Sequence, residues 1–150
     1  MMKLAKNYLF ILTMVAAVAF VGCSNNDDDD SSMEIMVNGS VLFDDGDDFN
    51  GDVDGDFTGN GGSAWRTFVW LNNLTTADYN ADITATAEGT FNMVVRDADG
   101  TTVLDRSLNG ASEPDSFSGV TDAGASGLWS VTITLTSFDG DGSFSLSEGD

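Results

Sequence analysis

From Trp129 to Phe138 the chain alternates strictly between apolar and hydroxylic side chains. Trp129, Val131, Ile133 and Leu135 fall on one side, and Ser130, Thr132, Thr134 and Thr136 on the other. A period of two is that of a strand with one face in a core and one toward water. No stretch after residue 32 keeps a 3.6-residue period, so the fold must be built from strands. Asp139-Gly140-Asp141-Gly142 follows and reads as a turn, since glycine accepts positive φ. Phe144 and Leu146 resume the alternation within 143–147, which predicts a hairpin.

The same pattern recurs upstream. Phe91, Met93 and Val95 alternate with Asn92, Val94 and Arg96, Asp97-Ala98-Asp99-Gly100 turns the chain, and 101–108 returns before Asn109-Gly110. Ile83, Ala85 and Ala87 alternate with Asp82, Thr84 and Thr86 ahead of Glu88-Gly89. Met33 to Val37 and Val41 to Phe43, split by Asn38-Gly39, predict an opening hairpin, while Trp65 to Leu71 is apolar on both faces, as in a central strand. Seven or eight antiparallel strands at this spacing predict a β-sandwich, with a small barrel as the second choice. One domain over 33–150 suffices. A chain of that size buries roughly two-thirds of its unfolded surface without needing a disulfide.

The first 32 residues are of another kind. Lys3 and Lys6 precede an uncharged run from Asn7 to Gly22, and Phe20-Val21-Gly22-Cys23 ends it with the chain's single cysteine. This is the tripartite pattern of a secretion signal, and Tyr8 to Val21 is short for a membrane span of about 20 residues. It resembles a bacterial lipoprotein signal. The resemblance implies removal of 1–22 and a lipid on Cys23, hence a membrane attachment through acyl chains. Ser24 to Ser32, with four consecutive aspartates at 27–30, is a self-repelling tether with nothing to bury. Its composition and position resemble the surface-export signal of lipoproteins of the Bacteroidota, which implies the outer leaflet of the outer membrane and exposure at the cell surface.

Charge narrows the partners. Without Lys3 and Lys6 the chain keeps three arginines against 25 acidic residues and has no histidine. Such a field repels phosphate backbones and anionic headgroups, so nucleic acid is not a partner. The chemistry is equally narrow. A serine triad would lack its base, zinc would lack His and Cys, and Schiff-base chemistry would lack lysine. A carboxylate pair drawn from Glu34, Glu88, Glu113 or Glu148 with an aspartate could still hydrolyse glycosides, but no spacing selects one. The expectation is a protein that is not an enzyme.

Gly127-Leu128-Trp129-Ser130-Val131-Thr132, with Phe138, Gly140 and Phe144 after it, is similar to the last hairpin of β-sandwich modules of the pre-peptidase C-terminal type, appended to secreted bacterial enzymes. The resemblance implies a jelly-roll-like or immunoglobulin-like sandwich and a non-catalytic accessory role. It carries over no functional residue.

Two constellations remain. In the acidic stretch 44–62, Asn50, Asp52 and Asp54 alternate ahead of Gly55, as at the start of an EF-hand loop. Asp56 and, from upstream, Asp47 or Asp48 would complete a weak Ca²⁺ site, and the alternative is a solvated acidic loop. The closing glutamate of an EF-hand is absent, since Gly61 stands there. The second constellation is aromatic. Trp65, Trp70, Phe68 and Tyr79 could form a platform for a sugar ring, or could be sandwich core. Two functions follow: a calcium-braced module binding an extracellular glycan or an outer-membrane protein complex, or an acidic structural or adhesive coat protein. An exposed aromatic would favour the first, and burial of every tryptophan the second.

Overall fold

The computed structural model describes residues 33–43 and 45–149. The signal, Cys23 and the tether lie outside the described residues. Among the described residues nine strands form the domain: β1 Glu34–Val37, β2 Ser40–Val41, β3 Asp47–Asn50, β4 Val53–Asn72, β5 Ala77–Ile83, β6 Glu88–Arg96, β7 Thr102–Asn109, β8 Ser116–Val120 and β9 Gly127–Glu148. No helix occurs among the described residues.

Two long strands organise everything else. β4 and β9 pair antiparallel along nearly their whole length, from Val53↔Leu146 to Asn72↔Gly127. The first part of β4 and the last part of β9 are flanked by β1 and by β5, and β8 adds beyond β5. The remaining halves are flanked by β3 and by β6, with β7 beyond β6. β4 and β9 therefore pass from one layer of a β-sandwich to the other. The crossing falls where the register slips between Asn60 and Ala64, with Gly61 at φ +92° and Ser137 at φ +46°. Such bulges bend a strand from one sheet into the next. One layer reads β2-β1-β4-β9-β5-β8, and the other β3-β4-β9-β6-β7. β3 lies parallel to β4, and every other pairing is antiparallel.

The core is the aromatic filling between the layers. Phe57 of one stacks on Phe91 of the other at 4.6 Å, Phe138 meets Phe57 edge-on at 5.4 Å, and Phe68 lies over Phe144 at 6.3 Å. Trp70 and Trp129 pack edge to face at 6.0 Å on neighbouring strands. Trp129, Val131, Ile133 and Leu135 are fully buried, as their alternation requires.

Four readings of the sequence change. Asp139 to Gly142 is not a turn, because β9 runs straight through it and pairs with Asn60 to Phe57 of β4; no hairpin ends the chain there. β5 stops at Ile83, and 84–87 connect it to β6, which takes in Glu88-Gly89. The acidic stretch is not a loop. It holds β3 and the beginning of β4, in which Val53, Gly55 and Phe57 face the core while Asp54, Asp56 and Thr58 face out. Nine strands replace the expected seven or eight. The opening hairpin forms on the expected turn, Asn38 (φ +49°) and Gly39 (φ +76°), the two positive-φ positions of a tight hairpin turn, but its second strand is Ser40–Val41 and stops short of Leu42 and Phe43.

Candidate functional site

The two outer faces differ in chemistry. On the layer containing β5 and β8, carboxylates project from β4 (Asp54, Asp56), β5 (Asp78, Asp82) and β9 (Asp141), all exposed. On the other layer the three central segments, 65–71 of β4, 128–136 of β9 and 90–96 of β6, contain no acidic residue at all. Phe68, Trp70, Trp129, Val131, Ile133, Leu135, Phe91, Met93 and Val95 are buried, so Trp65, Thr67, Val69 and Leu71 face outward from β4, Thr132 and Thr134 from β9, and Asn92, Val94 and the exposed Arg96 from β6. Acidic residues only frame this strip, with Asp48 on β3 and Asp105 on β7.

Trp65 is the ring this strip offers, at 55% exposure, whereas Trp70 and Trp129 are at 0%. Its backbone is firmly held. Trp65 pairs with Thr134, and its carbonyl accepts from the Arg66 guanidinium at 2.8 Å. Arg66 also donates through Nε to the Leu42 carbonyl at 2.9 Å, tying the strand to the segment between β2 and β3. Next along the strand, the Thr67 N–H donates to the Asp45 carboxylate at 3.1 Å, and the Thr67 and Thr132 hydroxyls share a hydrogen bond at 2.8 Å.

Across the strands from Trp65 runs one straight row. Trp65 of β4 faces Thr134 of β9, which faces Asn92 of β6, which faces Ser107 of β7. The Asn92 amide nitrogen lies within hydrogen-bonding reach of the Asp105 carboxylate at 2.9 Å, the Ser107 hydroxyl at 3.0 Å and the Arg106 carbonyl at 3.2 Å. Neither the carboxylate nor the carbonyl can donate, so the nitrogen of the amide must point at them.

The other three members of the expected aromatic platform are corrected. Phe68 and Trp70 are fully buried and Tyr79 is 8% exposed, so no ligand ring can lie on them. Their tasks are internal. The Trp70 indole N–H donates to the Gly51 carbonyl at 2.7 Å and fixes the turn into β4. Tyr79 packs edge-on against Phe117 and its hydroxyl meets the Arg106 guanidinium at 3.3 Å.

The expected calcium ligands are spread over two strands and the connection between them. Asp48 and Asn50 belong to β3, Asp52 to a turn, and Asp54 and Asp56 to β4. Among the described residues no three carboxylates gather in a way that could hold a metal. Gly55, read as the sharp-turn glycine of a calcium loop, is a packing glycine. A Cβ there would fall inside the Phe144 ring, its cross-strand partner, and Gly142 stands in the same relation to Phe57.

One buried carboxylate has a clear role. Asp97, 6% exposed, accepts from the backbone N–H groups of Ala125 at 2.8 Å, Thr101 at 2.7 Å and Asp99 at 3.0 Å. These bonds, that from Ala125 foremost, hold its carboxyl below the usual carboxylate range against the opposing pull of burial. It closes the β6–β7 turn and pins it to the segment entering β9.

No family model and no curated protein matches the chain. Among solved structures it is similar to the C-terminal CBM6 of LamC, a marine laminarinase from Zobellia galactanivorans, at 13% identity over 63% of this chain and 80% of that one, with a TM-score of 0.38. A CBM4 structure matches at 10% identity over 79% and 81% of the two chains, with a TM-score of 0.35. The isomalto-dextranase of Arthrobacter globiformis T6, complexed with panose, matches at 20% identity over 62% of this chain and 16% of that one, with a TM-score of 0.31. At these TM-scores the likenesses transfer neither ligand nor residue.

Proposed function

We propose that the domain is a non-catalytic module that binds an uncharged glycan on the outer face of the β3-β4-β9-β6-β7 layer. The observation that carries this reading is Trp65: an indole more than half exposed, among strand segments (65–71, 128–136 and 90–96) that hold no carboxylate in a domain that is otherwise densely acidic. A lone exposed apolar side chain is ordinary. This one lies on a rigid strand among Thr67, Thr132, Thr134 and Asn92, which supply hydroxyl and amide partners around a flat apolar ring. That combination suits the mixed apolar and hydroxylic faces of a sugar. A coat protein with no ligand needs neither the exposed indole nor the gap in its charge.

Catalysis finds no place on this face. Glycoside cleavage needs two carboxyl groups roughly 5–10 Å apart astride the bond, and the segments 65–71, 128–136 and 90–96 have none. Asp97 is buried and held ionised, the reverse of a proton donor.

The binding claim is tested by native electrophoresis through gels containing neutral or polyuronic polysaccharides. Retardation by a neutral polysaccharide that Trp65→Ala abolishes is the expected result. Equal retardation of the variant, or none in any neutral gel, overturns it.

Attachment belongs to the same reading: a lipid on Cys23 holds the module to the outer membrane, facing the medium. Acyl chains contribute about 0.8 kcal/mol per buried methylene, and the acidic domain contributes nothing. Wild type is therefore expected in the detergent phase and Cys23→Ser in the aqueous phase. Identical partitioning of the two contradicts the anchor.

A further inference from the structure

The row Trp65–Thr134–Asn92–Ser107 says more about the ligand than that it is a sugar. The Asn92 amide is oriented by its neighbours. Its NH₂ group carries two hydrogens and has three acceptors within reach, on Asp105, Arg106 and Ser107. Its donors are spent, and none of the hydrogen bonds among the described residues ends on Oδ1. Asn92 projects from β6 on the outer side, since Phe91 and Met93 on either side of it are fully buried. What it presents to a ligand is therefore an acceptor, held in place by three partners.

Trp65 and Asn92 are separated by one intervening strand, β9, and so by two interstrand spacings, about 10 Å. A single pyranose ring stacked on the indole does not reach that far, but the next units of an extended chain do if the chain crosses the strands. Thr134, between them in the row, lies under such a chain. Asp48 and Asp105, on the strands either side of this strip, act against carboxylated or sulfated sugars.

Resting on the glycan-binding reading above, we infer that the ligand is an extended neutral oligosaccharide lying across the strands, its ring on Trp65 and a hydroxyl of a further unit donated to Asn92 Oδ1. Asn92 is then a specificity residue. It selects for chain length and for a donor at that place, and it adds nothing for a monosaccharide.

The test is calorimetric titration of the full chain in detergent with neutral glucose oligomers from one to six units. The linkage is the one contained in the polysaccharide that retards wild type. Affinity should rise from one unit to three and then level off. Asn92→Ala should lose about tenfold for the trimer, the scale of one hydrogen bond, with no change for the monomer or in melting temperature. Asp105→Ala, which removes one of the groups orienting the amide, should lose affinity in the same length-dependent way, though less. If monomer and trimer bind alike, or Asn92→Ala binds the trimer as wild type does while Trp65→Ala does not bind, the two-point ligand is wrong and the Trp65 site stands. If no neutral oligomer of any length binds, both fail.

Discussion

Gly55 and Gly142 show how much one missing Cβ can decide. Each lies directly across the β4–β9 ladder from a phenylalanine whose ring fills the space a side chain would take. Gly55→Ala should therefore cost about 1–3 kcal/mol through overpacking, read in a denaturant titration, while Gly39→Ala meets no neighbour and pays only for its positive φ. Equal losses would mean that Phe144 can move aside. Asp97 makes a second prediction, in which sign matters. Its folded pKa lies below the unfolded value of about 3.9. Its contribution is thus fully present above about pH 4 and is lost as pH falls through the lower, folded value. Asp97→Asn turns an amide NH₂ toward backbone N–H donors, so it should lower the melting temperature at pH 7 and lose that deficit in acid. A deficit that persists unchanged at pH 2 contradicts the ionised role. Residue parity was available from the sequence. Phe68 and Trp70 share a side and Trp65 takes the other, so a strict period of two already separates the buried pair from the exposed ring. The apolar character of Val69 and Leu71 on the outer side hid that distinction.

Among elements, β9 was the most legible and also the most misleading. Its first half alternates cleanly, and Ile133 is fully buried while Thr132 is half-buried and bonded to Thr67. Ile133→Ala should cost about 2–5 kcal/mol from lost burial and a residual cavity, and Thr132→Ala about 1 kcal/mol for its hydrogen bond. Comparable losses would show that the outer face is not open to solvent. Its second half was missed because Asp-Gly-Asp-Gly is strong local evidence for a turn, while the partner that keeps it extended, 57–60 of β4, lies some eighty residues earlier. The acidic part of β4 was hidden for a related reason. Asp and Gly are poor strand formers, and only the alternation of Val53, Gly55 and Phe57 betrayed a core-facing side. Asn92 and Thr134 could not be assigned to the site from sequence, since their alignment with Trp65 is a matter of register between distant strands.

At the scale of the whole molecule, charge is distributed and not merely abundant. The acidic residues crowd one outer face, the turns and the rim, and leave a carboxylate-free strip on the other face with Trp65 on it. The strand-spanning β4 and β9 make the two faces parts of one rigid frame, so the strip is built before any ligand arrives, which limits the entropy lost on binding. The three tryptophans give a direct way to interrogate it. Two are fully buried with their N–H groups bonded to the Gly51 and Ala125 carbonyls, so acrylamide should quench Trp65 almost alone. A saturating neutral oligosaccharide should shield that fluorescence from acrylamide, a polyuronate should not, and Trp65→Phe should remove the quenchable fraction altogether. Quenching that is the same with and without every neutral glycan would place any ligand elsewhere and contradict the account.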